Sequence, residues 1–116
     1  MNLVELQNKI HAQNKELGWW NEERPFSTFV CLFHSELSEA MEGDRKGLMD
    51  DKLPHHPMFH VELADFVIRV FDYLGSVGFS EADYDDASCM LGDEIDEQTD
   101  TKVLGSDTRR TKLFKN

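Results

Sequence analysis

Basic residues are scarce in this sequence. Among 116 residues, 12 lysines and arginines stand against 23 aspartates and glutamates, which gives a formal net charge of -11. A surface of that sign repels DNA, RNA and anionic lipid, so the charge excludes nucleic acid and membrane surfaces as partners held by phosphate neutralisation alone. A phosphate-bearing ligand would need metal ions to bridge it to such a protein.

Cysteines and long apolar runs are scarce as well. Cys31 and Cys89 are too few for a disulfide framework, and we expect both to be reduced thiols. Glu5 stands where a signal peptide would carry basic residues, and no apolar run has the length of a membrane span. These absences predict a soluble, cytoplasmic protein.

The composition nevertheless supports a folded core, because 40% of the residues are hydrophobic. Apolar residues recur at helical intervals in four segments, which predicts an all-α fold, a four-helix bundle-like arrangement. Asn2, Ser27 and Ser80 are the predicted N-caps, and the predicted helices are about 2–18, 27–43, 58–74 and one that begins at Ser80. We assign residues 1–100 to one domain and residues 101–116 to a basic C-terminal tail.

Two acidic doublets are the main candidates for functional residues in this sequence. Glu36 and Glu39 lie in the second predicted helix, and Glu62 and Asp65 lie in the third. Positions three apart on a helix share a face, so each doublet presents two carboxylates side by side. Both doublets border the apolar stripe of their helix, which indicates that they face the protein interior.

Four carboxylates in a partly dry site repel one another, and each raises the pKa of its neighbours. A cation between them would remove that cost. Oxygen ligands without sulfur or imidazole favour Mg²⁺, with Mn²⁺ as a substitute, and leave coordination positions for phosphate oxygens and water. The alternative is that ExxE and ExxD are ordinary surface doublets of an acidic helical protein.

The string HSELSEAMEGDRKG, followed by VELADFVIRVFDYLG, resembles the ExxE…ExxD signature of the MazG-like all-α nucleoside triphosphate pyrophosphohydrolases. That superfamily also contains dimeric dUTPases and dCTP pyrophosphatases, and the short, phage-type members are the most similar. The resemblance covers about residues 3 to 75. It implies an oligomeric, MazG-type helical bundle that uses Mg²⁺ to hydrolyse a nucleotide, expected to be a dNTP, to its monophosphate and pyrophosphate. A phage origin would place it in the host cytoplasm.

The resemblance also implies roles for individual residues. The four acidic positions would ligate the metal, and Glu36 or Glu39 would also orient the attacking water. His11 and Trp20 would contact the base, with Trp19 as an alternative. The last helix lacks the Lys and Asn pattern with which many relatives bind phosphate, and the candidate replacements are Arg69, Arg45 or Lys46, and Arg109 and Arg110 of the tail.

The third predicted helix is apolar around most of its circumference and is predicted to be buried. Three neighbouring helices do not supply cover on all of its sides, so we expect a homodimer or a homotetramer. The choice among dCTP, dATP, dGTP and dUTP stays open, because stacking on an aromatic ring accepts any base.

Two further functions are compatible with the composition. An acidic, non-catalytic protein that mimics nucleic acid would explain the net charge, but it predicts carboxylates spread over an exposed face. A di-iron or di-manganese redox bundle also places acids on facing helices, but it needs Glu-x-x-His pairs. The positions three after Glu36, Glu39 and Glu62 hold Glu39, Glu42 and Asp65.

Overall fold

The computed structural model describes residues 2–103, and it describes side chains for residues 2–92. Within residues 2–103 it contains no strand, which confirms the all-α prediction. The helices are α1 (Leu3–Glu16), α2 (Phe26–Lys46), α3 (Met58–Ser76) and α4 (Glu81–Val103). None of them combines the length and the apolar character that crossing a membrane requires. Cys31 and Cys89 are both free and exposed.

The chain divides after Phe79 into two compact units, and α4 belongs to the second. Ser80 caps α4 as predicted, since its hydroxyl accepts a hydrogen bond from the backbone N–H of Asp83 at 3.2 Å. On the predicted apolar side of α4, Leu91 is exposed, and Ile95 lies outside the described side chains. The predicted domain boundary at residue 100 falls inside α4, and residues 104–116 of the predicted basic tail lie outside the described residues.

The ends of α1 and α2 follow local chemistry. Asn2 caps α1 as predicted, and its Oδ1 accepts from the backbone N–H of Glu5 at 2.8 Å. The prediction that Ser27 caps the second helix is wrong, because α2 begins one residue earlier, directly after Pro25. Proline fixes its own φ and pre-organises the start of a helix.

The predicted end of the second helix near Gly43 is also wrong. The helix continues to Lys46 and ends at Gly47, whose φ of 64° is a left-handed conformation that glycine adopts easily. Gly43 serves packing instead, since a Cβ atom there would lie 2.9 Å from the Cβ of Met58. The absence of a side chain lets α2 approach the first residue of α3.

In the first unit, α3 packs against both α1 and α2. Aromatic rings fill the contact with α2: Phe29 lies 5.1 Å from Tyr73 and Phe33 lies 6.2 Å from Phe66, centroid to centroid. At the contact with α1, a Cβ on Gly75 would lie 2.6 Å from the Cβ of His11. The two helices therefore approach one another closely at this glycine.

The single chain does not bury the third helix, which agrees with the expectation that its neighbours do not cover all of its sides. No residue of α3 is fully buried, and Leu63 and Val67, one turn apart, are both exposed. On α2, Leu37 and Met41 repeat that pattern, and Met41 is 70% exposed. The reason is geometric, because α1 and α2 together cover only part of the circumference of α3.

Candidate functional site

Three carboxylates from two helices meet in the first unit. Glu36 of α2 and Glu62 and Asp65 of α3 each offer one carboxylate oxygen, and these oxygens lie within 4.8 Å of one another. Glu36 is only 6% exposed, whereas Glu62 and Asp65 are half-buried. The two i, i+3 doublets are thus brought together across the contact between α2 and α3, and such a set of oxygens could hold a metal ion.

Glu39, the fourth predicted ligand, lies at the edge of this group. Its side chain is exposed, and it is not one of the three residues whose oxygens share the 4.8 Å limit. It nevertheless interacts with Glu62: burial, together with the neighbouring carboxyl groups of Glu36 and Glu39, raises the pKa of Glu62 to about 8. We call Glu36, Glu39, Glu62 and Asp65 the acidic cluster.

A second carboxyl group of the cluster is perturbed in the same direction. Burial raises the pKa of Asp65, the charges of Glu36 and Asp50 add to that effect, and the charges of Arg69 and Lys52 oppose it. Asp50 is buried in the loop between α2 and α3, where its Oδ2 accepts from the backbone N–H groups of Lys52 and Leu53. The loop therefore adds one negative and one positive charge near Asp65.

Arg69 lies beside the acidic cluster. Its Nε donates to Oε1 of Glu36 at 2.5 Å, and its guanidinium carbon lies 5.3 Å from the centre of the Trp19 ring. The guanidinium is thus held by a carboxylate and by an aromatic face at the same time. It neutralises part of the negative charge of the cluster.

A cavity of about 220 Å³ opens next to the acidic cluster. Glu36 and Asp65 of the cluster line it together with Arg69 and, from the loop that follows α1, Arg24. The remaining walls are mostly aromatic or aliphatic, and they include Trp19, Trp20, Phe29, Leu32, Phe33 and Ile68. The cavity therefore joins carboxylates, two guanidinium groups and flat apolar surfaces in one space.

Asp72 connects the aromatic part of the cavity to α1. Its Oδ1 is 2.9 Å from Nδ1 of His11 and accepts from Nε1 of Trp20 at 2.9 Å, while its Oδ2 accepts from Nδ2 of Asn14 at 2.9 Å. The Asp72 side chain is only 13% exposed. One carboxylate thus fixes three side chains that come from α1 and the loop after it.

The two predicted base contacts lie side by side. The rings of His11 and Trp20 are 5.0 Å apart in an edge arrangement, and Trp20 also stacks on Phe29 with 5.1 Å between the ring centres. Trp20 lines the cavity but His11 does not. Trp19, the predicted alternative, is 43% exposed and also lines the cavity.

The residues predicted to contact phosphate do not all lie at the cavity. Arg69 lines the cavity, whereas Lys46 lies outside it at the end of α2 and forms a 2.6 Å ion pair with Glu42, which lowers the pKa of that exposed glutamate. Arg45 is also exposed at this end of α2. Arg109 and Arg110 lie outside the described residues.

Sequence reasoning assigned no role to three residues of the cavity: Asn14, Arg24 and Asp72. Asp72 does share the polar arc of α3 with Glu62, Asp65 and Arg69, and this was the available signal. Asn14 stands one turn after His11 in α1.

Comparisons of the chain with protein-family models, with curated proteins and with solved structures found no match. The chemistry of the site is therefore the basis for a functional proposal.

Proposed function

We propose that the protein is a Mg²⁺-dependent nucleoside triphosphate pyrophosphohydrolase that converts a (d)NTP, most simply a dNTP, to its monophosphate and pyrophosphate. The observation that carries the proposal is the composition of the cavity. Two carboxylates of the acidic cluster, two arginines and aromatic walls line one space. These are the groups that a metal-bound triphosphate and a planar base require.

The residues of the acidic cluster fit a divalent metal. Every donor is a carboxylate oxygen, which suits a hard cation such as Mg²⁺ or Mn²⁺. The raised pKa values of Glu62 and Asp65 reflect burial and like charges that a bound cation would offset. Bound between Glu36, Glu62 and Asp65, Mg²⁺ would supply a Lewis acid for phosphate oxygens and for the attacking water.

The side chains of the protein have separate tasks in this reaction. The side chain of Glu39 is exposed to water, and it orients the attacking water and accepts its proton. Arg69 and Arg24 neutralise the phosphate chain, and the ring faces of Trp19 and Trp20 hold the base. Water attacks the α-phosphorus, the bond from that phosphorus to the bridging oxygen breaks, and pyrophosphate leaves. The monophosphate keeps the new oxygen.

The proposal includes a MazG-type oligomer, a homodimer or homotetramer. Leu37 and Met41 on α2, and Leu63 and Val67 on α3, are exposed apolar pairs, each one helical turn apart. Apolar pairs on two neighbouring helices are typical of a surface that a second subunit covers. The same proposal keeps the cytoplasm as the location, where nucleotides and Mg²⁺ are available.

The test is incubation of the purified protein with Mg²⁺ and each common NTP and dNTP, followed by separation of the products by anion exchange. We expect monophosphate and pyrophosphate from one or a few substrates. Glu39→Gln should lower the rate about 100-fold, as loss of other preorganised electrostatic groups does. Glu42→Gln is the matched control, because Glu42 lies one turn away on α2 and pairs with Lys46 instead.

Each contrary outcome has a definite meaning. Near-full turnover by Glu39→Gln would remove Glu39 from the mechanism. Diphosphate and phosphate as products would mean that a different phosphorus is attacked. An absence of turnover with either Mg²⁺ or Mn²⁺ would contradict the proposal and favour an acidic interaction protein. A coloured, iron-loaded protein would favour the redox bundle, although the acidic cluster contains no histidine.

A further inference from the structure

Asn14 is the side chain through which α1 reaches the cavity. Among the described residues of α1, it is the one that lines this space. His11 lies one turn earlier, does not line the cavity, and contacts Trp20 and Asp72. The polar group that a ligand meets on this side is therefore a carboxamide and not an imidazole.

The orientation of that carboxamide is fixed by Asp72. A carboxylate only accepts hydrogen bonds, so the 2.9 Å contact with Asp72 Oδ2 assigns the donating nitrogen of Asn14. Among the described side chains, Asp72 is the one hydrogen-bond partner of the Asn14 carboxamide, so its carbonyl oxygen and second N–H are left for a ligand. His11 and Trp20 hold Asp72 through its other oxygen, Oδ1. The Asn14 carboxamide therefore offers a ligand one acceptor and one donor, which lie in a single plane.

Asn14 contacts α3 at Asp72, at a distance from the acidic cluster where the phosphates of a nucleotide would bind. Asp65, Arg69 and Asp72 follow one another along the polar arc of α3, four and three residues apart. Seven residues of helix correspond to about 10 Å of axial rise between Asp65 and Asp72. A triphosphate bound at Asp65 and Arg69 would place the nucleoside near Asp72, where Trp20 and Asn14 lie.

A close approach of α1 to α3 makes the contact between Asn14 and Asp72 possible. Gly75, one turn after Asp72, has no side chain where α1 passes, and a Cβ there would lie 2.6 Å from the Cβ of His11. This close approach brings His11 and Asn14 within hydrogen-bond distance of Asp72. Gly75 and Asp72 therefore act together to set the position of Asn14.

We propose that Asn14, positioned by Asp72, is a specificity-determining residue that hydrogen-bonds the edge of the nucleotide base. A carboxamide offers an acceptor beside a donor, which pairs with a base edge that carries the complementary donor and acceptor. The assignment rests on the proposed function, because it takes the nucleotide as the ligand of the cavity. His11 acts as a positioning residue through Asp72.

The experiment measures kcat and KM for dCTP, dATP, dGTP and dUTP with the wild type and with Asn14→Ala. The same proteins are titrated with the four deoxynucleoside monophosphates, with binding followed by tryptophan fluorescence. Gln13→Ala is the matched control, because Gln13 is the exposed neighbour of Asn14 on α1. Asn14→Ser, which retains a small polar side chain, replaces Asn14→Ala if melting shows that the alanine variant does not fold.

We expect Asn14→Ala to raise KM and the monophosphate Kd for the preferred base about tenfold, the cost of one lost hydrogen bond to a ligand. The preference among bases should flatten, while kcat and the Mg²⁺ requirement stay as in the wild type and Gln13→Ala changes nothing. An unchanged base preference and KM, or a loss confined to kcat, would overturn the role of Asn14.

The monophosphate titration separates the two proposals. If the wild type binds a monophosphate and Asn14→Ala binds it about tenfold more weakly, the role of Asn14 holds even when no triphosphate is hydrolysed. In that case only the proposed reaction fails. If the wild type binds none of the four monophosphates, the nucleotide is not the ligand of the cavity and the role of Asn14 fails with it.

Discussion

Carboxylates lie at both ends of the polar arc of α3, and their surroundings differ. At one end, Asp72 has three side-chain partners, His11, Asn14 and Trp20, each at 2.9 Å. At the other end, Glu62 faces Glu36 and Glu39, and its pKa is raised to about 8. Asp72 is matched with protein donors, whereas the acidic cluster has Arg69 as the one cation hydrogen-bonded to it among the described side chains.

The difference separates a structural carboxylate from a functional one. A carboxylate that is satisfied by fixed donors holds parts of the fold together, and its removal leaves those donors unpaired. Ionised carboxylates that face each other lower the stability of the folded protein, and a cation bound between them removes this cost. Mutations at the two ends should therefore have opposite effects on stability.

The largest expected effect is at the acidic cluster. Glu62→Gln removes one of the facing charges, so the metal-free protein should melt at a higher temperature than the wild type near pH 8. The same change should lower Mg²⁺-dependent turnover about 100-fold, because a ligand oxygen and its charge are lost. Melting in EDTA and steady-state kinetics measure the two effects. A variant that is both less stable and fully active would contradict the assignment.

The opposite pattern is expected at Asp72. Asp72→Ala leaves the ring N–H groups of His11 and Trp20 and the amide of Asn14 without their acceptor, and we expect a loss of about 2–3 kcal/mol in the free energy of unfolding. Urea denaturation measures it, with the exposed Asp44→Ala as control. Asp72→Asn, which keeps one acceptor oxygen, should lose less than Asp72→Ala. Equal stability of wild type and Asp72→Ala would remove Asp72 as the anchor of the aromatic wall.

The smallest effect is the pH dependence that the acidic cluster imposes. The pKa of Glu62 rises from its ordinary value of 4.5 to about 8 in the folded protein. A raised pKa favours folding below the unfolded value, and this contribution is lost as the pH rises toward 8. Without metal, stability should fall over this window, and solvent screening at the half-exposed Glu62 keeps the loss small.

Magnesium should reverse that trend, because it favours the ionised carboxylates. The rise in Tm on adding Mg²⁺ should therefore grow from pH 5 to pH 8, and Glu62→Gln should weaken the growth. Melting curves at several pH values with EDTA and with Mg²⁺ measure both trends. A Mg²⁺-induced rise in Tm that is the same at pH 5 and pH 8 would show that the metal does not bind at these carboxylates.

Sequence reasoning succeeded where the relevant pattern is local. The i, i+3 spacing of Glu36 with Glu39, and of Glu62 with Asp65, is a property of one helix turn, and the structure brings both doublets together. The caps at Asn2 and Ser80 are local for the same reason. The base-contact roles of His11 and Trp20, which the family resemblance implies, stay predictions, and of the two residues Trp20 lines the cavity whereas His11 does not.

The rest depends on contacts between distant segments. The three partners of Asp72 lie 52 to 61 residues away in the sequence, so no spacing within a helix indicates them. A glycine near the close of an apolar pattern usually marks a helix end, and this rule predicts an end at Gly43. The structure shows instead that Gly43 makes room for Met58, which is distant in the sequence. The exposure of α3 likewise depends on which helices surround it, and not on its own pattern.

Hydrolysis of the preferred dNTP with Mg²⁺ in ¹⁸O-labelled water tests the central claim most directly. Mass spectrometry of the products locates the attacked phosphorus, because the new oxygen stays with it. We predict labelled monophosphate and unlabelled pyrophosphate, formed only when Mg²⁺ or Mn²⁺ is present. Label in pyrophosphate or phosphate, or turnover that persists in EDTA, would contradict metal-dependent attack at the α-phosphorus by water held at Glu36, Glu39, Glu62 and Asp65.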